Sequence, residues 1–334
     1  MRNLKKVIAL VAVFAMLVST VAFAAFTDVA ATDNYVEAIE TLNALGIITG
    51  DDEDGDGKME FRPEDTITRA EVAALISRIQ GLGEVKQTET VFNDVPSTHW
   101  ASGYIAQAEG QKIVNGYGDG NFGPEDAVKY EEVIKMVMET IGYYPFAAEN
   151  GGYPSGYTLA AQRYGVLDGV VGGSVGAPAP RGMVAQILFN AIDTPIMDKA
   201  TWGANGEYVI YDDIDGDFGF MTLLSRDMNM VKVTGVVVAN SFTNLTDGSV
   251  DVKAEDEKTL VIKLEQTDSN YQYLEFADYD DVDGYLFGDS EDLFQGAVDA
   301  DECLGHPVVA YAKNVKNGRE YELEALTCGG IANS

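Results

Sequence analysis

Apolar residues in the first part of the chain recur at helical spacing, and they do so three times. Val72, Leu75, Ile76 and Ile79 stand at i, i+3, i+4 and i+7, which predicts a helix with one apolar stripe. The stripe returns 61 residues later as Val133, Met136, Val137 and Thr140, and 112 residues later as Val184, Ile187, Leu188 and Ala191. Thr68 followed by Glu71 is a capping box and fixes the start of the first of these helices. Self-similarity of this kind predicts a repeat protein.

The flanking segments extend the repeat. The first unit opens with Phe26-Thr27-Asp28-Val29 and continues into a helix marked by Tyr35, Ala38, Ile39 and Leu42 that ends at Gly46. Ile47 to Gly50, an acidic loop and Phe61 to Asp65 lead into the capping-box helix. The second unit has Phe92-Asn93-Asp94-Val95, His99-Trp100-Ala101, Ile113 to Phe122 and Pro124-Glu125-Asp126 in the same order. The third lacks the Phe-x-Asp-Val opening but keeps Tyr157, Tyr164 to Gly169 and Ala179-Pro180-Arg181. Each unit is helix, Gly-rich loop, helix, with one short extended segment.

From Thr201 onward the period changes from helical to alternating. Glu207–Tyr211, Val231–Val238, Leu260–Leu264, Tyr271–Phe276, Pro307–Tyr311 and Glu320–Glu324 are β-branched or aromatic runs separated by Asp-, Gly- and Asn-rich turns. They predict a small all-β domain of about six to eight strands.

Met1 to Ala24 has the anatomy of a signal peptide: basic Arg2, Lys5 and Lys6, an apolar run from Val7 to Val18, and Ala22-Phe23-Ala24 as the cleavage site. The run is shorter than the ~20 residues a transmembrane helix needs, and no later segment could span. Cleavage removes three positive charges and no negative ones, taking the net charge from −32 to −35. Such a surface repels nucleic acid and anionic lipid and suits divalent cations. A hydrophobic content of 46% excludes a disordered acidic tail.

The motif set Phe-x-Asp-Val, His99-Trp100-Ala101, Gly116-Tyr117-Gly118-Asp119-Gly120-Asn121-Phe122 and Thr68-Arg69-Ala70-Glu71 resembles the S-layer homology repeat of bacterial surface proteins in order and spacing. The resemblance covers roughly residues 26–195. Taken with the leader and the alternating runs, it gives an α + β multidomain chain: a signal peptide over 1–24, repeats over 25–85, 88–145 and 146–198 with the third degenerate, and the β-rich domain over 201–330. It implies a pseudo-threefold helical module that binds a secondary cell-wall polysaccharide non-covalently, often one bearing pyruvate ketals. A secreted protein of the cell wall or S-layer is the expectation, with neighbouring subunits as further partners. The alternatives are a wall-anchored surface enzyme and a calcium- or solute-binding protein.

Arg69 and Arg181 stand at matched positions, first inside the second helix of their units, and the chain after the leader has only seven arginines. A helix N-terminus offers free N–H groups, and a guanidinium beside it can grip a carboxylate with two hydrogen bonds. Pairing with a nearby acid is the alternative. The second unit reads Lys129-Tyr130-Glu131-Glu132 where the first has Thr-Arg-Ala-Glu, so either its groove is lost or Lys129 substitutes as a point charge. By the resemblance, Glu71 belongs to the same site, and Asp28 and Asp94 accept hydrogen bonds from sugar hydroxyls; otherwise these two aspartates cap helices. Trp100 either stacks on a sugar or joins the core. Tyr117 in the Gly-rich loop is expected to face a ligand, while Gly50 and Gly116 are expected to supply backbone conformations closed to other residues.

Asp52, Asp54 and Asp56 before Gly57 match the first half of a calcium loop, but Pro63 stands where the bidentate Glu belongs. Calcium and a solvated acidic turn are equal readings, with no other cofactor expected. Weaker acidic clusters lie at Asp212–Asp217 and Asp278–Asp283. His99 and His306 are the only histidines, and no G-x-S-x-G, H-E-x-x-H or phosphate loop is present, so no catalytic residue is assigned. Cys303 and Cys328 flank two strands predicted to form a hairpin through Lys316-Asn317-Gly318. That would bring them to one open end, at bridging distance in a compartment that permits disulfides; two buried thiols are the alternative.

Overall fold

A computed structural model describes residues 26–30, 32–52, 55, 57–198, 209–210, 221–239, 245, 259–264, 285–289, 303–314 and 321–328. The leader, the run at 271–276, the acidic clusters at 212–217 and 278–283, and the turn at 316–318 lie outside these residues.

Helices α1 (Val36–Ala44), α2 (Arg69–Ile79), α3 (Ser102–Gly110), α4 (Tyr130–Thr140), α5 (Tyr144–Glu149), α6 (Ser155–Arg163) and α7 (Arg181–Ile192) form the first part. Helix α2 begins where the capping box places it: Glu71 N donates to Thr68 Oγ1 at 3.2 Å and Thr68 N to Glu71 Oε2 at 2.7 Å. Short α5 was not foreseen; Pro145 sits in its first turn, where a missing N–H costs nothing. The stripes Val72–Ile76, Val133–Val137 and Val184–Leu188 point into one core, each of these six side chains almost fully buried.

The starts of the second helices are bound to one another in a cycle. Arg69 N donates to Asp126 O at 3.0 Å and Ala70 N to Pro124 O at 3.0 Å. Tyr130 N donates to Ala177 O at 3.0 Å, and Arg181 N and Gly182 N return to Asp65 O and Pro63 O, both at 2.8 Å. The extended residues before each helix pair as single bridges, Thr68 with Ala127, Lys129 with Pro178 and Thr66 with Pro180. The helical region therefore closes on itself rather than stacking in a line.

Beyond it, β1 (Met197–Asp198) pairs with β2 (Val209–Ile210). A one-turn helix, α8 (Leu223–Arg226), is followed by β3 (Met230–Ala239), β4 (Thr259–Leu264), β5 (Tyr285–Asp289), β6 (Pro307–Asn314) and β7 (Tyr321–Cys328). The last five make one antiparallel sheet in the order β5-β4-β3-β6-β7. Strand β5 was not expected from the sequence; a glycine and flanking acids mask its Tyr-Leu-Phe run. Val233, Val237 and Ala239 alternate inward along β3. Met230, Tyr311 and Ala325 join the same buried cluster as the helices, so the sheet is packed on the helical part.

Val308 lies opposite Cys328 in the β6–β7 register, and Cys303, just ahead of β6, forms a disulfide with Cys328 at a Cα separation of 5.9 Å. Closing a loop of 25 residues contributes about 3 kcal/mol in the chain-entropy model. Thiol titration of denatured, unreduced protein is expected to find no free thiol, and reduction to lower the melting temperature. Two free thiols per chain would contradict the bridge.

Helix α1 generates a second prediction. Burial raises the Glu40 carboxyl from 4.5 to about 7. Its folded pKa lies above its unfolded value, so between these pH values the folded state holds a proton that the unfolded state has lost. Stability therefore falls as pH rises from about 4.5 to about 7. Glu40→Gln should raise the melting temperature at pH 8 and leave it unchanged at pH 4; equal shifts at both would refute the assignment.

Candidate functional site

Two grooves form where the start of one second helix docks on the loop of another unit. The first, about 280 Å³, is lined by Ile48 to Asp51, by Glu71, Leu75 and Arg78 of α2, by Trp100 and by Arg181. The second, about 370 Å³, is lined by Ile113 to Tyr117, by Glu132, Lys135 and Met136 of α4, by Tyr153 and by Arg69. The loops correspond at an offset of 66 residues and the helices at 61, the difference being the acidic insertion between Gly50 and Phe61.

Each arginine enters its groove from the first position of its helix. Arg181 Nε donates to Phe61 O at 2.8 Å and Nη1 to Glu71 Oε1 at 3.1 Å, with the guanidinium 5.0 Å from the Phe61 ring centre. Arg69 Nε donates to Phe122 O at 2.9 Å, Nη2 to Asn115 O at 3.0 Å, and Nη1 lies 3.2 Å from Glu132 Oε2. Its guanidinium stands 4.6 Å from the Phe122 ring centre and 4.8 Å from that of Tyr117. Planar cations held between aromatic faces and carbonyls have a fixed orientation.

This geometry changes the anion-site argument drawn from helix ends. The first N–H groups of α2 and α7 are not free; they bind the carbonyls of Asp126, Pro124, Asp65 and Pro63. The main-chain N–H groups of these helix starts are thus taken, and the polar groups left on the groove walls are mainly side chains and loop backbone. Both arginines are also paired with the glutamate of a neighbouring helix start, Glu71 or Glu132, so guanidinium and carboxylate form a neutral unit at the groove wall.

Asp28 and Asp94 are neither caps nor groove residues. Asp28 accepts from Phe61 N at 2.8 Å and Arg62 N at 2.6 Å, and Asp94 from Phe122 N at 2.8 Å and Gly123 N at 2.7 Å. Each carboxylate clamps the extended segment that carries the Phe carbonyl accepting the arginine. Gly50 and Gly116 do not occupy the left-handed region. They are needed because a Cβ would come within 2.6 Å of the Phe26 ring and within 2.7 Å of the Phe92 ring, respectively. Lys129 is the exposed residue before α4; the position matching Arg69 is Tyr130, whose ring packs on Gly173 and leaves no room for a Cβ there.

Trp100 is 47% exposed and stacks on His99, and Tyr117 is 50% exposed with its hydroxyl 3.0 Å from Asp126 Oδ2. Burial pushes the Tyr117 phenol up to about 12, Arg69 opposes the rise and the hydrogen bond to Asp126 adds to it. Tyr153, also raised to about 12 by burial, walls the second groove and stands two residues before α6, as Trp100 stands two before α3. Both grooves thus join a fixed guanidinium, a carboxylate, polar loop backbone and an exposed aromatic face. Polar walls plus a flat aromatic are the groups that bind a sugar ring.

Tyr153, Glu132, Lys135 and Arg78 were not picked out from the sequence. Glu132 was readable, lying 61 residues after Glu71; Tyr153 was hidden because the third unit lacks the opening motif. At the acidic loop, Asp52 Oδ2 accepts from Gly57 N at 2.9 Å, while Asp54 and Asp56 lie outside the described residues. Among the described residues no group of three His, Cys, Asp or Glu side chains is placed to hold a metal ion, and no helix is long and apolar enough to cross a membrane.

Residues 25–73 and 91–134 match the S-layer homology domain. Similar proteins carry related names. A "Cell surface protein" of Thermoanaerobacter kivui is 30% identical over 78% of this chain and 32% of its own length. A "Middle cell wall protein" of Brevibacillus brevis is 30% identical over 60% of this chain and 19% of its own. A "Surface layer protein" of Brevibacillus choshinensis is 30% identical over 60% of this chain and 18% of its own. The chain thus spans a third or less of the curated relatives it matches. It carries S-layer homology sequence at two segments, and these three relatives are named as proteins of the cell surface and wall, while more weakly similar ones include an "Amylopullulanase".

The two arginines differ in burial, with side chains 6% exposed at Arg69 and 13% at Arg181. Removing Arg69 leaves the buried Phe122 carbonyl and the largely buried Glu132 carboxylate without their partner. Arg69→Met is expected to cost about 3–5 kcal/mol by chemical denaturation, and Arg181→Met clearly less. Equal losses would mean that the buried pairing is not what holds the second groove together.

Proposed function

We propose that this is a cell-surface protein held non-covalently on the cell wall, with its repeats binding an acidic secondary wall polysaccharide in the two grooves. The observation that carries the reading is the recurrence, in two grooves of about 280 and 370 Å³, of an oriented arginine and an exposed aromatic (Trp100 or Tyr153) in the same lining. A saccharide bearing a pyruvate ketal presents a carboxylate beside a ring face, which matches that pair of groups. The cycle of backbone bonds linking the three helix starts supports a pseudo-threefold module whose third unit is a degenerate repeat. Tyr130 in place of an arginine gives the third junction no guanidinium, so two grooves bind and one is structural. The chain is read as non-enzymatic, in keeping with the surface and wall proteins it is similar to.

Sedimentation with isolated walls tests this. Trp100→Ala with Tyr153→Ala removes two exposed rings at little cost to folding, and each should weaken binding by at least about 1 kcal/mol. The double variant is expected to remain in the supernatant where the parent pellets, and the parent to be released from walls whose ketals have been hydrolysed by mild acid. A double variant that pellets like the parent would refute the groove assignment.

A further inference from the structure

A third cavity, about 560 Å³, lies at the other end of the helices that form the grooves. Arg69 and Glu132, at the starts of α2 and α4, line the second groove, whereas Gln80 and Thr140, at their ends, line this cavity. Gln80 caps α2, Gln111 caps α3 and Thr140 is the last residue of α4, so three helix C-termini meet at its wall. The facing wall is strapped in place. Met197 N donates to Ile141 O at 2.9 Å and Ile196 N to Met221 O at 2.8 Å. Gly142 permits this, because a Cβ there would come within 2.0 Å of Met197 O.

The end of a helix carries about half a negative charge on its unpaired carbonyls. Neither α3 nor α4 has a basic residue in its last turn, and Arg78 in that of α2 is turned to Ile47 O. Arg226, which supplies a guanidinium to the lining, is closed by Asp227, with Nε at 2.7 Å and Nη2 at 2.6 Å from its two oxygens. Glu139 adds a carboxylate whose side chain is only 6% exposed. Its Oε1 accepts from the Tyr157 hydroxyl and lies 3.9 Å from Lys135 Nζ, beyond hydrogen-bond reach. Lys135 itself donates to Ile113 O and lines the second groove. Among the described residues nothing donates to Glu139 Oε2. A buried acceptor of this kind calls for a charged donor. The remaining wall is Ile113, Ile196, Met197 and Met221, an apolar surface that a hydrated metal ion would not use.

We infer that this cavity is a site for a primary alkylammonium ion. The ammonium meets Glu139 Oε2 and the helix-end carbonyls, and the hydrocarbon stem lies along the two methionines and two isoleucines. An ammonium has three N–H donors and no acceptor, which suits a wall of oxygens. Thioether side chains adapt to an irregular stem. A chain of net charge −32 also concentrates such cations around itself. The site stands independently of what the grooves bind.

Methionine-methyl NMR and calorimetry on the full chain, at neutral pH and about 0.15 M salt, test this with n-pentylammonium and with 1-pentanol as its uncharged match. The ammonium is expected to bind once per chain, to shift the Met197 and Met221 methyl signals, and to be preferred to pentanol roughly tenfold or more. Glu139→Gln should abolish that preference and leave the affinity for pentanol unchanged. Should this variant fail to fold, Gln111→Lys decides, because it sets a fixed cation at an exposed position of the rim and should exclude the ammonium alone. Binding that leaves both methionine signals unmoved is adsorption to the acidic surface and overturns the inference. A preference for the ammonium that survives Glu139→Gln or Gln111→Lys overturns it as well. So does an equal loss of both ligands, which would mark collapse of the cavity rather than loss of its charge.

Discussion

Everything in the helical part depends on how the start of each second helix is satisfied. An α-helix begins with N–H groups that have no intrahelical partner. Here the first two of α2 and of α7 find main-chain carbonyls in the segment that precedes another unit's helix. No unit can therefore complete its helix ends alone, and the ring closes because α7 returns to Asp65 and Pro63. The same docking drives the first side chain of the helix across the junction, which is how Arg69 and Arg181 arrive at loops distant in sequence.

The grooves are by-products of that docking, shaped by close contacts rather than by a dedicated pocket. Gly50 and Gly116 let the loop lie directly on Phe26 and Phe92, and Asp28 and Asp94 hold the opposite segment by its amides. With loop and segment fixed, the arginine has carbonyl acceptors already in place. Its charge is then neutralised by the glutamate in the first turn of the neighbouring helix, Glu71 or Glu132. Glu71 shows the economy of this: one oxygen caps α2 while the other binds Arg181. The exposed rings of Trp100 and Tyr153 complete the groove walls beside them.

The sheet adds a second layer of dependence. Its inner residues share the buried cluster of the helices, and Lys232 on β3 reaches Asp193 at the end of α7 at 3.0 Å. The disulfide ties β7 to the approach to β6, securing the strand that packs beside α1.

The sequence by itself determined most of the elements and their order, with α5 and β5 as the exceptions. Stripes such as Val72–Ile79, the Thr68–Glu71 box, and the alternating runs at 231–238 and 307–311 are local signals, and each was found where its periodicity placed it. The bridging distance of Cys303 and Cys328 followed from a hairpin that is local in sequence. The tertiary structure decided what the polar residues do. Asp28 reads as a cap from its neighbours, yet its partners lie 33 and 34 residues away. A free helix N-terminus is a sound local inference, but another unit's carbonyls occupy it. Tyr153, Arg78 and Lys135 carry no motif, because a groove wall is set by which surfaces meet and not by which residues adjoin. Backbone propensity and apolar period act over one or two turns of chain, whereas hydrogen-bond partners and charge neutralisation are chosen only when distant segments come into contact.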